Sequence, residues 1–140
     1  MKRQLLTSQG TWDKGVLIVR VMTGFIILKY GLELFDNDKI IGYTQWLTDT
    51  NFPMPKIMTY VGKTTELIGG LLLILGLFAR IVSIPLIINM IVVTFYLGEG
   101  KILTADQHPF LFILLFLIFL SVGGGKWSLD YLIFNRAKQK

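Results

Sequence analysis

Four long apolar runs dominate this chain and leave few folds open to it. A helix needs about 20 mostly apolar residues to cross roughly 30 Å of hydrocarbon. The runs cover about 15–35 (GVLIVRVMTGFIILKYGLELF), 57–78, 81–97 and 108–122, the last stopping at Gly123-Gly124-Gly125. Alternation of period two is absent and each run exceeds a strand length, so the spans read as helices, which satisfy their own backbone groups in lipid. The expected fold is all-α: an integral membrane four-helix bundle occupying 1–140 as a single domain. The last run is short. As a helix it covers only about 22 Å, so either it continues through the glycines towards Trp127 or the bilayer thins around it. Pro109 suits a first turn, with Asp106 or Thr104 as its cap.

Charge placement sets the expected orientation. Lys2, Arg3, Lys14, Arg80, Lys126, Arg136, Lys138 and Lys140 fall on one side of the spans, against Lys39, Lys56 and Lys101 on the other. Basic residues favour the cytoplasm, so both termini are expected inside. The net charge of +5 is gathered at segment borders, where lipid headgroups rather than nucleic acid are the expected partners. Only 16% of residues are charged, against about 25% in soluble domains. The first run is too long and too charged for a signal peptide and is expected to be retained.

The connections follow from this scheme. Ala79-Arg80 reads as a tight cytoplasmic turn, making the second and third spans antiparallel neighbours. In the outer loop 36–56, Ile40, Ile41, Tyr43, Trp46 and Leu47 are spaced to give one apolar face. A short interfacial helix is expected there, ended by Phe52-Pro53-Met54-Pro55. The tail 127–140 opens apolar and finishes basic, as a segment lying on headgroups would, and Trp12 and Trp127 read as interface anchors.

Ionisable groups inside a span cost about 2.5–3.5 kcal/mol each at its centre, so each needs a reason. They are Arg20, Lys29, Glu33, Lys63 and Glu66, with Asn89 as a neutral companion. Gly62, Gly69 and Gly76 recur every seven residues along one face, a stripe that lets a neighbouring helix approach closely. Glu66 lies on that stripe and should point into the bundle near the midplane, where a carboxylate needs a cation or a proton. Arg20, Gly24 and Gly31 fall within about 40° of one another, making Arg20 the interior cation of the first span. Lys29 and Glu33 form an i, i+4 pair on the opposite face, able to neutralise each other or reach the surface. Spacing leaves open whether Arg20 or Lys63 answers Glu66. For Arg20 and Glu66, a ligand site and a purely structural pairing weigh equally; Lys29, Glu33 and Asn89 lean towards structure. Pro85 is expected to kink the third span.

Excluded chemistries narrow the field. With no cysteine there are no disulfides, thiolate nucleophiles or iron–sulfur ligands. A single histidine, His108, rules out bis-histidine haem ligation and reads as a boundary residue. No metal site, covalent cofactor or catalytic residue is assigned.

From about 16 to 133 the chain resembles the DoxX family of small bacterial four-helix membrane proteins. The resemblance rests on Arg20, Gly24 and Tyr30-Gly31-Leu32, on Phe52-Pro53-Met54-Pro55, on the stretch from Glu66 to Arg80, and on Gly125-Lys126-Trp127-Ser128-Leu129-Asp130. Two departures stand out: Tyr30 occupies a position that is often histidine, and Leu34 one that is often lysine. A tyrosine there keeps a hydrogen-bonding hydroxyl but not the near-neutral titration of an imidazole. The resemblance implies a multi-pass protein of the bacterial inner membrane in redox association, as a subunit of a quinone-linked oxidoreductase with a separate redox partner protein. Quinone is the one cofactor it implies, with Arg20, Tyr30, Glu66 and Asn89 as candidate ligand or proton sites and Lys29, Glu33 and Lys63 as secondary ones. A non-catalytic anchor or assembly subunit is the nearest alternative, and a small transporter or proton-conducting module a more distant one.

Overall fold

The structure, a computed structural model, describes residues 9–98, 100–126 and 128–138. Lys2, Arg3, Trp127 and Lys140 lie outside these residues, as do the side chains of Trp12, Arg136 and Lys138. The described chain is helical, with no strand. Helix α1 (Gln9–Gly31) tightens into a 3-10 turn (Leu32–Phe35), and α2 (Asn37–Asp49) follows at once. Then come α3 (Pro55–Leu75), α4 (Ala79–Val92) with a wider π turn (Val93–Leu97), α5 (Gln107–Val122) and α6 (Leu129–Lys138).

Three segments are long and apolar enough to cross a membrane: Asp13–Phe35, Pro55–Leu75 and Ala79–Tyr96. Helix α5 is as apolar but has 16 residues. It does not continue through the glycines: Gly123 caps it at φ 78°, ψ −157°, a conformation open only to a residue without Cβ. Large apolar side chains such as Ile18, Phe25, Ile81 and Ile88 face outward. An apolar exterior of that extent suits lipid and not water.

Local signals explain most boundaries, and several differ from the expectation. Pro55 opens α3 in its first turn, where its missing N–H costs nothing. The helix stops at Leu75, short of 78, because Gly76 takes a left-handed C-cap at φ 72° and its N–H returns to Leu73. The turn between α3 and α4 is therefore 76–78, and Ala79-Arg80 already begins α4. Helix α2 ends at Asp49, before the Pro-rich segment, with Thr50 and Asn51 turning the chain. Pro85 lies within the α-helical run of α4, and a π turn follows two turns later at Val93–Leu97. Asp106 precedes α5 without a side-chain cap, its carboxylate accepting instead from the Lys101 N–H at 2.9 Å.

The helices pack as two pairs, α1 on α3 and α4 on α5, joined where α3 meets α4. Between α1 and α3 the backbones nearly touch. A Cβ on Gly24 would sit 2.9 Å from the Gly70 carbonyl, and one on Gly31 would overlap the Leu67 backbone. The stripe on α3 serves another neighbour. Gly69 makes room for Leu86 and Gly62 for Asn89, both from α4, while Gly70, off the stripe, takes the backbone of α1. The apolar core lies between α3, α4 and α5, around Leu73, Leu86, Met90, Ile113, Phe116 and Phe119.

Candidate functional site

Glu66 is buried at 5% exposure, on the side of α3 that meets α4 and the end of α1. Its partner is Lys63, one turn earlier on the same helix: Nζ stands 3.0 Å from Glu66 Oε2. The same ammonium reaches Glu33 Oε2 at 3.0 Å and the Tyr30 carbonyl oxygen at 3.4 Å, so one lysine joins two carboxylates from two helices. Asn89 of α4 donates from Nδ2 to Glu66 Oε1 at 2.9 Å. A carboxylate held by an ammonium and an amide is tolerable where an isolated charge is not.

Helix α2 closes this cluster. Its start is fixed by Asp36, whose carboxylate accepts from the Asp38 and Lys39 N–H groups as an N-cap. The 3-10 turn before it brings Glu33 beneath the helix, where Tyr43 Oη donates at 2.8 Å and Lys39 Nζ lies 2.7 Å away. The Tyr43 ring sits 4.2 Å from Lys63 Nζ, a cation–π contact. Burial and the bond to Glu33 raise the Tyr43 hydroxyl above the ordinary phenol value, and the Glu33 carboxylate raises Lys39 above the ordinary lysine value. Thr44 Oγ1 to Thr59 Oγ1, at 3.2 Å, adds a second tie between α2 and α3.

Beside the cluster is a cavity of about 410 Å³, within the usual range for small-molecule sites. Its walls are Ile27 of α1, Met58 of α3, Ile88 of α4 and Phe112 of α5, with Trp46 and Leu47 of α2 and Phe52 above them. Lys63, Glu66, Asn89 and Gly62 form its polar side; Tyr30, Tyr43 and His108 also line it. A mostly apolar chamber with a few converging polar groups can seat a small hydrophobic molecule and fix one polar edge of it.

Arg20 belongs elsewhere. It is 1% exposed, and its guanidinium donates to the Gly124 carbonyl in the loop before α6. A Cβ on Gly76 would lie 2.7 Å from Arg20 Nη1 and 2.7 Å from Ser128 Cβ, so the arginine is clasped between the α3–α4 turn and that loop. Asp130 lies within its electrostatic reach, accepts from the Ala79 N–H at 3.4 Å and donates its own N–H to Gly76 O at 3.3 Å. Gly76 is ten residues past Glu66, about 15 Å along α3. Arg20 and Glu66 do not meet.

The candidates thus sort by position. Glu66, Lys63, Glu33 and Asn89 come together, with Tyr30 at the edge by its carbonyl and ring. Lys29 is exposed and makes no ion pair among the described residues; the pairing with Glu33 is replaced by Lys63 and Lys39, because Glu33 leaves the helix in the 3-10 turn. Sequence reasoning placed Tyr43 only on an apolar face and gave Lys39 no role in the cluster. It also gave no role to Asp130 or Ser128, whose link to Arg20 spans more than a hundred residues of chain. The spacing of α2 was the one available signal for Tyr43, since it put that hydroxyl on the face turned towards the spans.

A model of the DoxX family matches residues 15–99. Over 137 residues the chain is 31% identical to "Putative oxidoreductase CatD" of Bacillus subtilis, covering 91% of this chain and 93% of that protein. An uncharacterized protein of Haemophilus influenzae is 30% identical over 118 residues, covering 79% of this chain and 88% of its own. An uncharacterized membrane protein of Mycobacterium tuberculosis is 29% identical over 148 residues, with 96% and 89% covered. No solved structure matches.

Proposed function

The chain belongs to the DoxX family, and from that premise we propose that it is the membrane subunit of a quinone-linked redox assembly, with the cavity beneath α2 receiving the quinone ring. The observation that carries this reading is the conjunction of an apolar chamber of about 410 Å³ with one polar wall made by Lys63, Glu66 and Asn89. The printed name of the Bacillus subtilis relative, an oxidoreductase, runs in the same direction.

A quinone, when bound, supplies two-electron, two-proton carrier chemistry. The chain's own part is to seat the ring and hold its polar edge. Ile27, Met58 and Phe112 would flank the ring, and Asn89 and Glu66 would hold its polar edge. Glu33, Lys39 and Tyr43 connect that wall to the exposed surface of α2 through bonds of 2.7–3.0 Å. The proposed electron donor or acceptor is a separate protein. In the proposed topology α5 is the fourth span, locally thinning the bilayer, and both termini are cytoplasmic. Helix α2 then lies at the outer face of a bacterial inner membrane and α6 at the inner one.

The test is mild-detergent purification of the tagged chain from its native membranes, with mass spectrometry of co-purifying proteins and extracted lipids. A stoichiometric redox protein together with bound quinone is the expected result. A clean chain carrying only phospholipid overturns the assembly and leaves the anchor reading. That alternative draws on one specific feature: each carboxylate of the cluster is already matched by a lysine.

A further inference from the structure

We infer that the buried end of the cavity is built to receive a hydroxyl donor, so that the site holds a hydroquinone in preference to the corresponding quinone. The inference rests on the quinone reading above and concerns which redox form fits.

The argument is a count of donors and acceptors. An ammonium has three protons, and those of Lys63 are directed at Glu66 Oε2, Glu33 Oε2 and the Tyr30 carbonyl. The Tyr43 hydroxyl donates to Glu33, and the Thr59 hydroxyl donates to the Pro55 carbonyl at 2.9 Å. Asn89 gives one amide proton to Glu66. Among the described residues, its second amide proton and the Tyr30 hydroxyl, which also lines the cavity, are the donors left at this end. Acceptors are in surplus. Each carboxylate oxygen has about two lone-pair sites, and each oxygen of Glu66 takes a single hydrogen bond among the described residues. Asn89 Oδ1 takes none among them. It is also held in place: with Nδ2 drawn to Glu66, Oδ1 lies over Gly62, 2.9 Å from where a Cβ would stand. Gly62 and Asn89 both line the cavity.

A ring hydroxyl meets this wall as donor to acceptor. A quinone carbonyl, which only accepts, would face carboxylate and amide oxygens in an apolar chamber, with both sides unsatisfied. At the other end, Trp46 and His108 are exposed and can be served by water, so they distinguish the two forms less. Sites that hydrogen-bond a hydroxyl reject the analogue lacking it strongly; with an amide proton and the Tyr30 hydroxyl still available to a carbonyl, the expected preference here is limited to roughly tenfold.

The experiment is calorimetric titration of the purified full chain in detergent with a decyl-tailed benzoquinone and, under nitrogen, with its hydroquinone. The hydroquinone should bind about tenfold more tightly, which raises the midpoint potential of the bound couple by about 30 mV. Glu66→Gln, which exchanges an acceptor oxygen for a donor, and Gly62→Ala, which displaces the Asn89 carbonyl, should each reduce the preference while the protein stays folded. Equal affinities, or tighter binding of the quinone, overturn the inference and leave the quinone reading standing. Failure of either form to bind overturns that reading and the inference with it. A preference that persists unchanged in both variants overturns the assignment to Asn89 and Glu66.

Discussion

Two regions of this protein bury a cation, and they do so in opposite ways. At the α2 end, Lys63 stands between Glu33 and Glu66 with a cavity at its side. At the other end, Arg20 is held between the Gly76 backbone, the Gly124 carbonyl and Ser128. The first arrangement adjoins a chamber that a ligand can fill; the second is a clasp joining α1, the α3–α4 turn and the approach to α6, with Asp130 within reach. Intramembrane charge by itself therefore does not mark a site. The same cost of burial is met at one end by counter-ions next to a cavity and at the other by the Gly124 carbonyl and the nearby Asp130 carboxylate in close packing, and only the former adjoins volume that a ligand can fill.

The comparison predicts a graded set of effects. Arg20→Met should be the most damaging, since it leaves the Gly124 carbonyl and Asp130 without their buried cation; a loss of about 3–5 kcal/mol is expected. Folded, monodisperse yield in detergent and the melting temperature would register it, and a variant as stable as the parent would dissolve the clasp. Glu66→Gln should separate the two regions most clearly. Lys63 keeps Glu33, so stability should fall by only about 1 kcal/mol, while affinity for the hydroquinone should drop severalfold. If the folded protein itself disappeared, both regions would be structural.

Tyr43→Phe removes a single hydrogen bond to Glu33 and should cost about 0.5–1 kcal/mol, seen as faster amide exchange in α2 with α1 and α3 unchanged. The same region should be sensitive to alkali. With the Tyr43 hydroxyl raised above its ordinary 10.0, the docked helix prefers the neutral phenol. That contribution is complete below about pH 10 and is lost as pH climbs through the raised value. Lys39, raised above its ordinary 10.5, prefers its charged form beside Glu33 and loses its contribution in the same direction. Exchange in α2 should thus accelerate in alkali before the Arg20 end responds, and less so in Tyr43→Phe. A simultaneous response at both ends would contradict the separation. Lys39→Gln should do least, because its ion pair is half exposed and screened by solvent; melting temperature should be unchanged within error.

Much of this was legible in the chain. Helical spans follow from run length, the α2 helix from the spacing of Ile40, Ile41, Tyr43, Trp46 and Leu47, and the inward direction of Glu66 and Arg20 from their register with glycines. Asn89 was readable as an interhelical hydrogen-bonding group, though not its partner. The roles of the glycines were only half readable. A stripe at 62, 69 and 76 announces close approach, but whether a backbone, a leucine or an amide fills the groove depends on which helix lies there. Gly76 left the stripe altogether to end α3.

What the sequence determined by itself is whatever depends on one helix at a time: hydrophobic length, the face on which a residue lies, and the stops at Pro and Gly. Those follow from the 1.5 Å rise and the 100° turn per residue, which are properties of local backbone geometry. The tertiary structure alone decided which charges meet. Pairing depends on the depth of one helix relative to another, and a shift of two turns carries a side chain past its partner. The packing of Gly24 and Gly31 against α3 fixed that depth, sending Arg20 to the Gly76 turn and leaving Glu66 to Lys63, Asn89 and the cavity.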